Sequence, residues 1–160
     1  MTTQPNPELD LVISRVIKAP TAAVWDAWTN PAKFEKWWVP HPTVCRVLEM
    51  DLRPGGSFRT EISEGGDGFE PHITGCFLAV DPRRRIVFTD SLIAGWRPSA
   101  DAFMTAIITV VEHPEGTEYE ARALHRSAAD RDSHERMGFH DGWGTVTRQL
   151  ADLVEGEPSR

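Results

Sequence analysis

Apolar and polar positions alternate with a period of two over most of the chain between residues 43 and 126, the spacing of strands that bury one face. Six segments carry the pattern: 43–51, 57–63, 70–80, 86–93, 103–112 and 117–126. The interruptions hold turn-forming residues, namely Pro54-Gly55-Gly56, Gly65-Gly66-Asp67-Gly68, Asp81-Pro82 and Pro114-Glu115-Gly116. Links this short join neighbours, so the pattern predicts an antiparallel meander across most of a sheet.

The two ends break the rhythm. Residues 9–19 form a further strand, with Leu11, Ile13 and Ile17 on one face and Val12, Ser14 and Val16 on the other. Pro20-Thr21 then opens a short helix with Thr21 as its cap, and Val24, Trp25 and Trp28 project from it at three- and four-residue spacing. Asn30-Pro31 ends that helix and starts a second, which runs into Trp37-Trp38 and stops at Pro40 and Pro42. At the C-terminal end Phe139, Trp143, Val146, Leu150, Leu153 and Val154 mark one apolar face of a single helix over about 133–154, with Arg148, Gln149 and Asp152 off it. Gly138, Gly142 and Gly144 each cost such a helix roughly 1 kcal/mol relative to Ala, which suggests close backbone approach or space left beside it. A long antiparallel sheet with one helix to curl around tends to enclose a cavity, and function is expected there.

The 160 residues suit one domain spanning 9–155 with tails at 1–8 and 156–160. A net charge of −7, with 24 acidic against 17 basic residues, argues against a nucleic-acid surface. Arg83-Arg84-Arg85 reads as a solvated hairpin turn. No apolar run reaches the roughly 20 residues of a membrane span and no signal-peptide core is present, so the expectation is a soluble, cytoplasmic protein. Cys45 and Cys76 form neither a CxxC pair nor a zinc cluster and read as buried small hydrophobes, a disulfide being the alternative.

Three segments, ISRVIKAPTAAVWDAWTNPAKFEKWW, MDLRPGGSF and GFHDGWGTVTRQLADL, in this order and at these separations, resemble the START-like (SRPBCC) superfamily. Within it they resemble the AHSA-type branch, named for homology to the activator of the Hsp90 ATPase, over about residues 9–154. The resemblance implies an α+β helix-grip fold: a seven-stranded antiparallel sheet wrapped around a long C-terminal helix, with two short helices after strand one. Members of the superfamily bind lipids, sterols and polyketides and some act as cyclases, so fold alone does not fix function. The co-chaperones behind the branch name carry this domain beside a separate N-terminal domain. Only about eight residues precede strand one here, so a chaperone partner is not expected.

The main functional expectation is a module that binds a hydrophobic or aromatic small molecule between sheet and C-terminal helix. Trp38 and His41 fall at the rim of the proline-bracketed loop, and Trp96 and Phe103 flank a possible lid over 94–102. Arg59, His72 and His125 are candidate polar anchors, with Met137 and Trp143 contributed by the closing helix. His125 shares its strand face with Tyr119, Ala121 and Ala123, a set containing small residues as a hollow requires. The alternative is a cyclase- or hydrolase-like enzyme with His125 or His140 as general acid–base. A buried His within reach of a carboxylate at a closed pocket would favour that alternative. A co-chaperone-like interaction domain, requiring an exposed apolar patch outside the cavity, is the third reading. No metal or cofactor is expected, since no HExxH or HxxxH spacing occurs and His134 and His140, six apart, fall on different sides of one helix. Edge strands make a homodimer possible.

Overall fold

The computed structural model describes residues 4–66 and 68–156. Residues 1–3 and 157–160 of the expected tails, and Asp67 of the glycine turn, lie outside the described residues.

The elements follow as β1 (Asp10–Ile17), α1 (Thr21–Thr29), α2 (Pro31–Phe34), β2 (Val44–Met50), β3 (Ser57–Ser63), β4 (Glu70–Asp81), β5 (Arg85–Thr89), β6 (Leu92–Ile93), β7 (Arg97–Pro98), β8 (Thr105–His113), β9 (Gly116–Leu124), α3 (Ala128–Arg136) and α4 (Phe139–Glu155). Seven strands form one sheet in the order β1-β9-β8-β5-β4-β3-β2, and every pairing in it is antiparallel. From β2 to β5 and from β8 to β9 the chain meanders between neighbours. β1 and β2 are the two edges, joined by α1 and α2. The 17-residue α4 lies against β1 and α1. This is the helix-grip arrangement.

Asn30 caps α2 by accepting the Ala32 N–H at 3.1 Å, with Pro31 inside the first turn where its missing N–H costs nothing. Thr21 does not cap α1. Pro20, held extended at φ −61 and ψ 154, occupies the N-cap without a side-chain bond, and Thr21 is buried as the first helical residue. Arg53 pairs with Asp51 at 2.8 Å across the β2–β3 connection. Gly56 permits the tight return there, because a Cβ would stand 2.0 Å from the Asp51 carbonyl oxygen.

Two further expectations are corrected. The strand foreseen over 86–93 ends at Thr89, where the Asp90 carboxylate accepts the Phe103 and Met104 N–H groups at 2.8 and 3.1 Å and diverts the chain into an excursion holding the β6–β7 hairpin. The single closing helix is two helices. Ser127 caps α3 by accepting the Asp130 N–H, and Gly138 at φ 98 ends it in the left-handed region that glycine adopts without a Cβ penalty.

The core is aromatic where α1, α2 and the following loop meet the sheet. Trp28, Phe34, Trp37, Phe58, Phe77 and Phe88 are each at most 2% exposed. The Trp28 indole donates to the Tyr119 hydroxyl at 3.0 Å, and the Trp37 indole to the Ala27 carbonyl at 3.0 Å. Cys45 and Cys76 are buried free thiols, and burial pushes Cys45 up to about 12, so it stays protonated and inert. No helix among the described residues is long and apolar enough to cross a membrane.

Candidate functional site

A hollow of about 390 Å³ opens between the sheet and the paired C-terminal helices. Trp38, Val39 and Pro40 enclose it from the loop after α2, Ile73 and Phe88 from β4 and β5, and Phe103 and Met104 from the end of the excursion. His134 faces it from α3, while Met137, Gly142, Trp143 and Val146 come from the α3–α4 junction and α4. His72 and Asp90 complete the wall. A larger trough of about 1420 Å³ runs over the outer sheet face, but solvated charges such as Arg83, Arg84, Glu118 and Glu120 line it. Polar and charged side chains make up most of its wall, unlike the mostly apolar lining of a small-molecule site.

Local irregularities place the polar groups. Between β3 and β4, Arg59 pairs with Thr74 and Glu61 with Pro71, so His72 and Ile73 of β4 together oppose Thr60. This β-bulge brings both residues toward the cavity, where strict alternation would have put them on opposite faces. Thr60 fixes the His72 ring. Its hydroxyl oxygen accepts the Ile73 N–H at 3.1 Å and lies 3.3 Å from His72 Nδ1, which leaves His72 Nε2 free to bond a ligand. His72 stands at the exposed mouth, yet the protein around its ring removes enough water to hold its pKa below the ordinary value.

His125 and His134 form a buried pair, each 7% exposed. His125 Nδ1 lies 2.8 Å from the Leu9 carbonyl oxygen, and His125 Nε2 lies 2.8 Å from His134 Nδ1. Phe103 and Phe139 flank the His134 ring at centroid distances of 4.5 and 5.1 Å. Burial, with a smaller contribution from neighbouring His125, pulls His134 down to about 4.

Gln149 secures the opposite wall. Its amide donates to the Trp37 and Val39 carbonyls at 3.1 and 2.8 Å, and its oxygen accepts the His41 N–H at 2.9 Å. One α4 side chain thus holds the loop that presents Trp38. The Trp38 indole N–H reaches no oxygen or nitrogen among the described residues and is sealed among rings, with Trp37 and Trp143 set edge-on at 5.5 and 5.7 Å.

The residues singled out in the sequence divide accordingly. Trp38, His72, Phe103, Met137 and Trp143 line the hollow, and His125 reaches it through His134. His41 is exposed, bonded through its ring to the Lys36 carbonyl at 2.7 Å. Arg59 lies on the outer side of β3 and pairs with Glu49 at 2.7 Å, holding that carboxyl below its usual range. Trp96 packs on Gly55 instead of covering the cavity. His140 is exposed beside Glu135 at 3.2 Å. Among the lining residues that the sequence did not mark as ligand contacts are the polar Asp90 and His134. The Ser127-x-x-Asp130 spacing, a helix-start signature, was the signal that a separate helix carries His134.

The model of the "Activator of Hsp90 ATPase homolog 1-like protein" family matches residues 18–155. Among solved structures, a protein from Nitrosomonas europaea is 40% identical, with 94% of this chain and 97% of that chain covered at a TM-score of 0.86. A protein from Chromobacterium violaceum is 30% identical, with 96% and 100% covered at a TM-score of 0.75. The AHSA1-like protein from Aeromonas hydrophila, 18% identical over 95% of this chain and 99% of that one, shares the fold at a TM-score of 0.67. No curated protein matches the chain.

Proposed function

The chain belongs to the activator of Hsp90 ATPase homolog 1-like family, within the START-like superfamily, and from that premise we propose that it binds a compact, neutral, largely aromatic small molecule in the hollow beside α4. The family fold is that of a ligand-binding or co-chaperone-like module in general. The observation that carries the finer reading is the lining: aromatic and aliphatic side chains over most of the wall, with polar groups only at His72, Asp90 and His134. Ligand pockets have this composition, and 390 Å³ lies near the small end of their usual range of about 300–1,000 Å³. The space equals about a dozen water molecules, which suits one or two fused rings better than a long acyl chain. Burial of apolar ligand surface contributes roughly 25 cal/mol per Å².

The arrangement of the histidines supports binding over acid–base catalysis. His125 and His134 bond to a carbonyl and to each other, and no carboxylate among the described residues bonds to either. His140 has its carboxylate partner, but on the exposed surface. The largest exposed apolar side chains include Met137 at 70% and Phe103 at 38%, and both belong to the cavity mouth, where a flexible Met suits a ligand's passage.

Gly142 supplies the test. It lines the cavity, and a Cβ there would meet nothing within 4 Å. Gly142→Leu should fill the hollow without a clash, and it replaces a helical glycine that costs about 1 kcal/mol relative to Ala. The expected result is unchanged or raised thermal stability with naphthalene binding, followed by Trp fluorescence, weakened at least about tenfold. Naphthalene binding equal in both proteins would place the site elsewhere.

A further inference from the structure

The hydrogen bonds behind His134 have a direction that can be read from their far end. A carbonyl oxygen only accepts, so His125 Nδ1, 2.8 Å from the Leu9 oxygen, must carry the hydrogen of that bond. With His125 neutral, its Nε2 is a lone pair, and His134 Nδ1 at 2.8 Å must donate to it. A neutral His134 that spends its one hydrogen on Nδ1 presents Nε2 as a bare lone pair. A cation on the His134 ring would be buried without a carboxylate partner among the described residues, which opposes its protonation. Burial that holds His134 down to about 4 acts in the same sense. His134 lines the hollow, its Nε2 has no partner among the described residues, and unlike the Trp38 indole nitrogen it is not sealed from solvent-sized space.

We propose that the hollow selects neutral aromatic molecules bearing a hydroxyl, with that O–H donated to His134 Nε2 at the end of the Leu9–His125–His134 chain. This rests on the reading of the hollow as a binding site and specifies which end of the ligand it recognises. The aromatic body lies against Trp143, Phe88 and Met104, while Phe103 packs on the His134 ring and narrows its approach. A carboxylate ligand is disfavoured twice over: His134 Nε2 offers no hydrogen, and the wall contains the Asp90 carboxylate. His72 Nε2 at the mouth is free to hydrogen-bond a second polar group on the same ligand.

Calorimetric titration with 2-naphthol, 2-methoxynaphthalene and naphthalene at neutral pH tests this. The protein should bind 2-naphthol about tenfold more tightly than the other two, since a buried acceptor left unpaired costs about that factor, and His134→Leu should remove the preference while retaining naphthalene. Equal binding of all three would overturn the hydroxyl assignment and leave the binding site standing. A preference that survives His134→Leu would assign the hydroxyl to another acceptor, Asp90 first, and also overturn it. If none of the three binds, the binding-site reading itself fails. One readout needs no variant: nitrogen-15 imidazole spectra should show both His125 and His134 protonated at Nδ1, with the His134 Nε2 resonance shifting on addition of 2-naphthol. A His134 protonated at Nε2 would contradict the proposal whatever the affinities.

Discussion

Trp28→Ala should destabilise the protein by about 3–5 kcal/mol, the range for deleting a fully buried large aromatic side chain. The indole is 1% exposed and touches Phe34, Trp37, Trp38 and Phe88 at ring-centroid distances of 5.2 to 6.1 Å. These neighbours are held by separate elements, so they do not collapse readily into the space. The substitution also strands the buried Tyr119 hydroxyl, which now accepts the indole N–H at 3.0 Å and whose pKa burial raises. Trp25, three residues earlier, is half-buried and is the internal control: Trp25→Ala should cost well under half as much. Urea unfolding of the two variants gives the comparison. A loss below about 1 kcal/mol for Trp28→Ala would mean that the aromatic cluster is not what joins α1, α2 and the sheet.

Acidification should remove stability before most carboxylates titrate. His134 has its folded pKa lowered to about 4 against an ordinary value of 6.5, so between these the unfolded chain binds a proton that the folded protein refuses. Stability from this group is therefore complete above about pH 6.5 and declines as pH falls toward 4. The shift corresponds to about 3 kcal/mol in all, and to about 2 kcal/mol between about pH 7 and pH 5. His72, also lowered, adds in the same direction. Urea midpoints across this interval measure the slope, and His134→Leu should be less stable at neutral pH but flatter with pH. An equally steep profile in that variant would locate the acid sensitivity in other groups.

Much of the fold could be read from spacing because the strands keep their period and the turns carry Gly and Pro at the breaks. The seven strands, the Asn30 cap and the buried side of β9 with Tyr119, Ala121 and Ala123 were all legible in this way. The hollow was harder, because its polar groups stand where regularity fails. A one-residue bulge turns His72 inward beside Ile73, and parity cannot register a bulge. The apolar face begins only at Phe139 and α3 before Gly138 is polar, so nothing in the apolar spacing separated the two helices, and the pairing of His134 with His125 stayed hidden. Asp90 looked like a strand residue until its bonds to two backbone N–H groups were seen. Gln149 lies off the apolar stripe, and nothing in its spacing reveals three bonds to the loop bearing Trp38. Pairings between distant segments arise from the folded arrangement and leave no local trace.

The central claim is that the space between sheet and α4 receives a ligand, and the methionines report on it directly. Met104 and Met137 line the hollow, whereas Met50 lies in β2 outside it. In a carbon-13 methyl spectrum of methionine-labelled protein titrated with 2-naphthol, the Met104 and Met137 signals should shift together and saturate while Met50 holds still. Unmoved Met104 and Met137 signals at concentrations where 2-naphthol binds, or a shift confined to Met50, would contradict the account.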